Sequence, residues 1–175
     1  NLFLDYYFGR KAAGEYVTGT RKRIVNDLPL LGETGNNTPG SPTDMYYKGA
    51  NMLHTLRQMI RDDEKWRAVL RGQTVSTKQV TDYITAESGI DLGSFFQQYL
   101  TTTSVPSLVY KIDGNAVSYY WTNIVNGFNM KINVAVNGRV IELAPADTES
   151  KIEFGEQVIT FEPDTNFYIE TIQLK

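Results

Sequence analysis

The stretch Pro42–Arg61, PTDMYYKGANMLHTLRQMIR, has the pattern of one amphipathic helix. Thr43 or Asp44 could accept a hydrogen bond from an unpaired backbone amide of the first turn, which predicts the N-terminal cap. Two tyrosines, Tyr46 and Tyr47, then fall close to the predicted start of the helix. Apolar residues recur at intervals of three and four, which predicts one buried stripe. The stripe comprises Met45, Gly49, Met52, Leu53, Leu56 and Ile60.

Before this helix, the sequence predicts two helical segments and a long loop. Asn1–Phe8 is aromatic and has a mid-helix pattern without a cap, so we expect that the chain was excised from a longer protein. Gly9 is expected to end this segment in a left-handed conformation, after which Arg10–Val25 resumes the helical pattern. Leu28–Ser41 contains proline, glycine and asparagine without a period, which predicts a loop. Loops of this length in compact domains are often functional.

Three further helices are predicted after Arg61, joined by short connections. Their N-terminal caps are expected to come from Asp62 or Asp63, from Ser76 with Gln79, and from Asp91. The first of them carries Trp66, Val69 and Leu70 and should end at Gly72, and the other two span Thr77–Ser88 and Leu92–Leu100. Paired aspartates can do acid–base chemistry, but Asp62 and Asp63 fall where a helix needs its cap. The first part of the chain is therefore predicted to be all-helical.

At Val105-Pro106 the hydrophobic period changes from 3.6 to 2, and about seven short strands follow. Asp113-Gly114-Asn115 and Asn137-Gly138 are typical of hairpin turns. Residues 1–105 carry 12 basic and 11 acidic side chains, whereas residues 106–175 carry 5 and 9. These changes predict an α+β chain of two domains, 1–105 and 106–175. The second is expected to be an immunoglobulin-like antiparallel β-sandwich, with a small barrel as the alternative.

Composition excludes several classes of function. The net charge of −3 does not favour nucleic acid as a partner, and the basic run Arg21-Lys22-Arg23 is typical of a solvated helix end. The chain has no cysteine, so it holds no disulfide and no thiolate metal site. No apolar run is long enough to predict a membrane-spanning helix, and no signal peptide is evident. The compartment stays open, with export to the periplasm or cell exterior slightly favoured.

Few residues suggest chemistry by type and position alone. His54, the single histidine, lies mid-helix, where a structural role is expected. Tyr119-Tyr120-Trp121 could form an exposed sugar-binding platform, although in an alternating strand the core is favoured. Tyr46 is the candidate of interest because a neutral phenol can donate a hydrogen bond to a developing oxyanion. It also lies near a helix N-terminus, where the backbone dipoles favour negative charge.

The segment Asp44–Arg57, DMYYKGANMLHTLR, resembles the Y-E-K-G-A segment of the aminopeptidase N family of zinc peptidases, the gluzincins that include leukotriene A4 hydrolase. Further segments resemble the same family in order and approximate spacing. They are Val75–Gln79, Ser88–Leu92, Phe95–Leu100 and Pro106–Tyr110. The resemblance covers nearly the whole chain. It implies the last helices of a thermolysin-like catalytic domain, followed by the β-sandwich that succeeds it in the family.

The resemblance also implies a role for Tyr46. In the family, the matching tyrosine donates its hydroxyl to the tetrahedral gem-diolate that forms when zinc-bound water attacks the peptide carbonyl. Two positions depart from the family pattern. Tyr47 replaces a glutamate, which removes a local ion pair, and Ser41 replaces an aromatic residue that many relatives carry, so the pocket for the substrate side chain is expected to differ.

The zinc motif H-E-x-x-H and its third ligand, a downstream glutamate, are absent from the chain. The resemblance places them, with the base and the site for the substrate amino terminus, in a missing N-terminal catalytic region of the full-length protein, hereafter the parent. We therefore expect a peptide substrate and zinc for the parent, and neither catalytic zinc nor peptide hydrolysis for this chain. The alternative is a non-catalytic module that binds protein or glycan, in a parent that lost its zinc site.

Overall fold

The computed structural model describes residues 2–32, 42–64 and 76–175. The chain divides into two compact units, Asn1–Thr103 and Ser104–Lys175. Within the described residues, helices are the principal elements of the first unit and strands are those of the second. The prediction of a mixed α+β chain is therefore confirmed.

The helices of the first unit follow one another along the chain. They are α1 (Leu2–Gly19), a short 3₁₀ helix (Thr20–Arg23), α2 (Pro42–Ile60), α3 (Thr77–Ser88) and α4 (Gly93–Thr101). The predicted helix with Trp66, Val69, Leu70 and Gly72 falls outside the described residues, as does most of the predicted loop Leu28–Ser41. Asp62, at the predicted cap, accepts a hydrogen bond at Oδ1 from the Glu64 amide, 3.0 Å away.

Glycine interrupts α1, as the sequence predicts. Gly9 has φ 83° and ψ 164°, which is not a helical conformation, so α1 consists of two helical segments that meet at this residue. Its φ is positive, as expected, but its ψ lies far from that of a left-handed helix cap. A side chain would strain this backbone, which explains glycine at the break.

The ends of α3 also agree with the sequence pattern. Ser76 and Gln79 form the predicted reciprocal capping box, and Gly89 ends the helix in the left-handed region at φ 70° and ψ 14°. The buried side of α3 is narrow. Ile84 is fully buried, whereas its neighbour Tyr83 is 44% exposed.

The buried side of α2 differs from the predicted apolar stripe. Met52 and Leu56 are buried as expected, but Met45 is 45% exposed. The helix begins at Pro42, so Thr43 and Asp44 lie inside it and the predicted cap is wrong. Polar side chains instead occupy much of the buried face at helical spacing. They are Asp44, Lys48, Asn51 and Thr55, each with no exposed surface.

The second unit contains seven strands in two sheets. They are β1 (Ser107–Asp113), β2 (Ala116–Thr122), β3 (Ile132–Val136), β4 (Arg139–Leu143), β5 (Ser150–Glu153), β6 (Phe161–Pro163) and β7 (Glu170–Leu174). One sheet has the order β5-β2-β1-β7 and the other has the order β4-β3-β6. Four of the five strand pairs are antiparallel, and β1 and β7 run parallel. The two sheets are therefore mainly antiparallel, as predicted, with one parallel pair.

Side chains from the two sheets of the second unit meet in a shared core. The ring of Tyr110 on β1 lies 4.5 Å from that of Phe161 on β6, measured between centroids. Inward positions of β3 alternate with partly exposed ones, and Ile132, Val134 and Val136 are buried. Asn137 and Gly138, at the predicted hairpin turn, both have positive φ, at 48° and 79°, as a type I′ turn requires.

Candidate functional site

Tyr46 lies near the N-terminus of α2 with its side chain 71% exposed. Asp44 and Lys48, two positions before and after it, are buried. Because successive residues of a helix are rotated by about 100°, positions two apart lie on nearly opposite sides. The phenol therefore points away from the buried side of the helix, and its hydroxyl has no hydrogen-bond partner within the described part of the chain.

Asp44 joins α2 to the segment that follows the 3₁₀ helix. Its two carboxylate oxygens accept hydrogen bonds from the backbone amides of Val25 and Asn26, at 2.8 and 2.5 Å. Hydrogen bonds to an ionised acceptor are stronger than those between neutral groups. Asn26 adopts a left-handed conformation at φ 57°, which asparagine tolerates better than most residues. The sequence suggested Asp44 as a helix cap, whereas its carboxylate binds a different segment.

Lys48 joins the same helix to the end of α4. Its Nζ donates a hydrogen bond to the carbonyl oxygen of Thr102, 2.7 Å away. Burial lowers the pKa of the Lys48 ammonium group below its ordinary value, and the charge of Asp44 opposes that shift. The side-chain amide of Asn26 also donates to the carbonyl of Thr103. Two consecutive carbonyls after α4 are therefore bound by side chains from distant parts of the first unit.

Tyr47, the first departure from the family pattern, contacts Arg23. The Arg23 Nη1 donates to the Tyr47 hydroxyl at 2.7 Å, and its guanidinium carbon lies 5.4 Å from the centre of the ring. The hydrogen bond with Tyr47, followed by its electrostatic effect, raises the pKa of Arg23. The basic run thus contributes side chains to contacts with α2. The Tyr47 hydroxyl is therefore engaged by Arg23, whereas the Tyr46 hydroxyl has no partner within the described residues.

Asn51 connects α2 to α1 and the 3₁₀ helix. Its Oδ1 accepts a hydrogen bond from Arg21 Nε at 2.8 Å, while its Nδ2 donates to Thr20 Oγ1 at 3.1 Å. The same amide donates to the carbonyl of Tyr47, one turn earlier on α2, at 2.9 Å. The buried amide is thereby satisfied as both donor and acceptor. Asp44, Lys48 and Asn51 could have been found in the sequence only as polar residues at helical spacing.

Arg57 forms an ion pair at the other end of α2. Its Nη2 lies 2.6 Å from Asp5 Oδ2 and 2.9 Å from Asp63 Oδ1. Burial opposes the guanidinium charge, but hydrogen bonds to Asp5 and Asp63 outweigh it and raise the pKa of Arg57. This pair fixes the start of α1 against the end of α2.

Four aromatic side chains are exposed on the first segment of α1. Phe3 and Tyr7 have ring centres 4.6 Å apart, and the rings of Tyr6 and Tyr7 are 4.9 Å apart. The exposed fraction lies between 62% and 83% for each of the four residues, which are Phe3, Tyr6, Tyr7 and Phe8. We call this group the aromatic face of α1. Contiguous exposed apolar surface of this kind is typical of a contact site.

The other candidate residues from the sequence are His54 and the segment Tyr119-Tyr120-Trp121. His54 is buried on α2, as expected for a structural histidine. Tyr119 and Trp121 are buried, and the Trp121 indole donates to the carbonyl of Met130 at 3.2 Å. The core position that the sequence favoured over a sugar platform is therefore confirmed for these two residues. In residues 2–32, 42–64 and 76–175, no group of three or more His, Cys, Asp or Glu side chains could hold a metal ion. None of the helices in those ranges is long and apolar enough to cross a membrane.

No protein-family model matches the chain, and no curated protein matches it. Near the start of α2, the exposed phenol of Tyr46 lies on the opposite side of the helix from the buried Asp44 and Lys48. The aromatic face of α1 is a second exposed feature of the first unit.

Proposed function

We propose that this chain is the C-terminal part of a zinc-dependent aminopeptidase and that Tyr46 stabilises the oxyanion of the transition state. The resemblance of Asp44–Arg57 to the aminopeptidase N family supports the assignment. The observation that carries it is the exposure of Tyr46 near the start of α2, with a hydroxyl available to a ligand. A neutral phenol can donate a short hydrogen bond to an oxyanion, and removal of one such donor has a large effect on rate.

The zinc site in this proposal belongs to residues outside this chain. The described residues do not supply a ligand set, so the chain itself is expected to hold no catalytic zinc and to be inactive. The role left to this chain is to present Tyr46 to the tetrahedral intermediate. The peptide substrate is contacted through the parent, where the hydrolysis of N-terminal peptide bonds takes place.

The finer fold assignment belongs to the same proposal. Helices α1 to α4 correspond to the end of a thermolysin-like catalytic domain, and the seven strands correspond to an immunoglobulin-like sandwich. The division of the strands into sheets of four and three supports the second assignment, since constant-type immunoglobulin domains have that division. The parallel pairing of β1 with β7 is a departure from a purely antiparallel sandwich.

The aromatic face of α1 is proposed to contact the N-terminal catalytic region of the parent. Phe3, Tyr6, Tyr7 and Phe8 expose a large apolar surface. In the isolated chain that surface is in contact with water, which is unfavourable in proportion to its area. A contact with the catalytic region would bury it.

Steady-state kinetics of the parent test the proposed role of Tyr46. Tyr46→Phe should lower kcat on the order of 10²–10³-fold and change KM less, as loss of an interaction made mainly in the transition state does. Tyr83→Phe is the matched control because Tyr83 is also an exposed helical tyrosine of the first unit. Unchanged turnover in Tyr46→Phe would contradict the assignment, and a parent without H-E-x-x-H would favour the non-catalytic module.

A further inference from the structure

The beginning of α2 is anchored by charged side chains. In the range 43–48, only Asp44 and Lys48 are buried. Met45, the apolar residue that the sequence pattern assigned to the core, is 45% exposed. The position of this part of the helix therefore depends on the contacts of two ionisable groups.

Those contacts connect α2 to two segments that are distant in sequence. Asp44 holds the amides of Val25 and Asn26, and Lys48 holds the carbonyl of Thr102. Asn26 completes the connection because its side chain donates to the carbonyl of Thr103. We call these five residues the polar clamp, with Val25, Asn26, Asp44, Lys48 and Thr102 as its members.

We propose that Asp44 and Lys48 are positioning residues that set the location and orientation of the Tyr46 hydroxyl through the polar clamp. This inference rests on the proposed function, in which Tyr46 donates to the oxyanion. Hydrogen bonds are directional, so two of them from opposite ends of one helical turn restrict both rotation and sliding of the helix. Apolar contacts alone would restrict these motions less, since they are not directional.

The spacing explains why the clamp acts on Tyr46 in particular. Tyr46 is the midpoint between Asp44 and Lys48, and it lies on nearly the opposite side of the helix from both. A rotation of the helix that released either hydrogen bond would move the phenol sideways across the surface. A displacement of roughly 1 Å can reduce the rate about 10²-fold.

A double-mutant cycle in the parent tests the inference. Lys48→Met removes the hydrogen bond and keeps an unbranched apolar side chain, and we expect kcat to fall at least about tenfold with KM less affected. In a Tyr46→Phe background the same substitution should have little further effect, because it acts through Tyr46. Lys78→Met, at an exposed lysine on α3, is the matched control. The inference would be overturned if Lys48→Met lowered kcat by the same factor in wild type and in Tyr46→Phe. It would also be overturned if Lys48→Met changed kcat in neither.

A second measurement uses the 175-residue chain and does not depend on activity. NMR of tyrosine-labelled protein should show that Lys48→Met and Asp44→Asn shift or broaden the Tyr46 ring signals, while those of Tyr83 stay unchanged. Asp44→Asn should also speed the amide exchange of Val25 and Asn26, by roughly tenfold for loss of a charged acceptor. If the Tyr46 signals are unaffected in folded variants, the positioning role is wrong.

The two measurements separate failure of the inference from failure of the proposed function. If Tyr46→Phe leaves parent turnover unchanged, the proposed catalytic role fails, and the NMR result alone decides whether the clamp orients the side chain. If Tyr46→Phe lowers kcat but Lys48→Met does not, the catalytic role stands and the clamp is not needed for it.

Discussion

Arg57 and Asp5 form an ion pair 2.6 Å long between residues 52 positions apart, and the arginine side chain is only 5% exposed. The pair joins the start of α1 to the last turns of α2. Asp63 adds a second carboxylate at 2.9 Å. Removal of one partner from a buried pair leaves the other charge without compensation, which costs more than the intact pair contributes.

Arg57→Met should therefore destabilise the first unit strongly. We expect the free energy of unfolding to fall by about 3 kcal/mol, the lower end of the range for a broken buried pair, since Asp5 and Asp63 keep some contact with water. Urea unfolding followed by helical circular dichroism measures this change. Lys78→Met, which breaks the exposed pair with Asp82, should cost less than about 0.5 kcal/mol. Equal effects of the two substitutions would contradict the role given to Arg57.

Because the Lys48 ammonium group is buried, we expect the free energy of unfolding to vary with pH in the alkaline range. Its pKa in the folded chain is lowered by burial, whereas in the unfolded chain it is about 10.4. Between these two values the unfolded chain binds more protons than the folded one, so the contribution of this group to the free energy of unfolding rises with pH. Below the folded-state pKa that contribution is constant.

The difference between wild type and Lys48→Met isolates this contribution. The free energy of unfolding of wild type, relative to that of Lys48→Met, should increase as pH rises towards about 10.4. The corresponding difference between wild type and Lys78→Met should not change with pH. Denaturant unfolding at a series of pH values measures both. A pH-independent difference would show that the folded and unfolded chains bind the Lys48 proton equally.

In the second unit, Trp121→Phe should be destabilising. The indole is buried and donates to the Met130 carbonyl, and its ring lies 5.8 Å from that of Phe128. The smaller ring leaves the carbonyl without this donor and opens space beside Phe128, and we expect a loss of about 2–4 kcal/mol. Thermal unfolding measures it. Val140→Ala, at an exposed position on β4, should change the stability by less than about 0.5 kcal/mol.

The isolated chain should not retain zinc. The described residues contain no cluster of ligands, and the sequence lacks H-E-x-x-H. After incubation with zinc and extensive dialysis, elemental analysis should find well under one zinc per chain. Stoichiometric retention at neutral pH would contradict the proposal that the catalytic metal is bound by residues outside this chain.

Sequence patterns predicted the elements of this fold better than their contacts. The capping box at Ser76 and Gln79, the break at Gly9 and the turn at Asn137-Gly138 are local features, and each depends on residues that are adjacent or nearly so. The parallel pairing of β1 with β7 joins segments more than 60 residues apart. No local pattern encodes that pairing.

The candidate site was predicted only in part for the same reason. Tyr46 could be selected from its residue type and its place near a helix start. Asp44 and Lys48 are charged, so hydrophobic periodicity assigns them to solvent, and Met45 to the core. Burial of these charges depends on partners at Val25, Asn26 and Thr102 that come from other parts of the chain.

The most direct test of the central claim compares substrate turnover with the binding of a transition-state analogue in the parent. A phosphinic peptide presents a tetrahedral, negatively charged group in place of the gem-diolate, so it should lose affinity when the oxyanion donor is removed. For Tyr46→Phe, the account predicts that analogue affinity and kcat/KM fall by a similar factor, on the order of 10²–10³. Wild-type affinity for the analogue together with wild-type kcat/KM in Tyr46→Phe would contradict it.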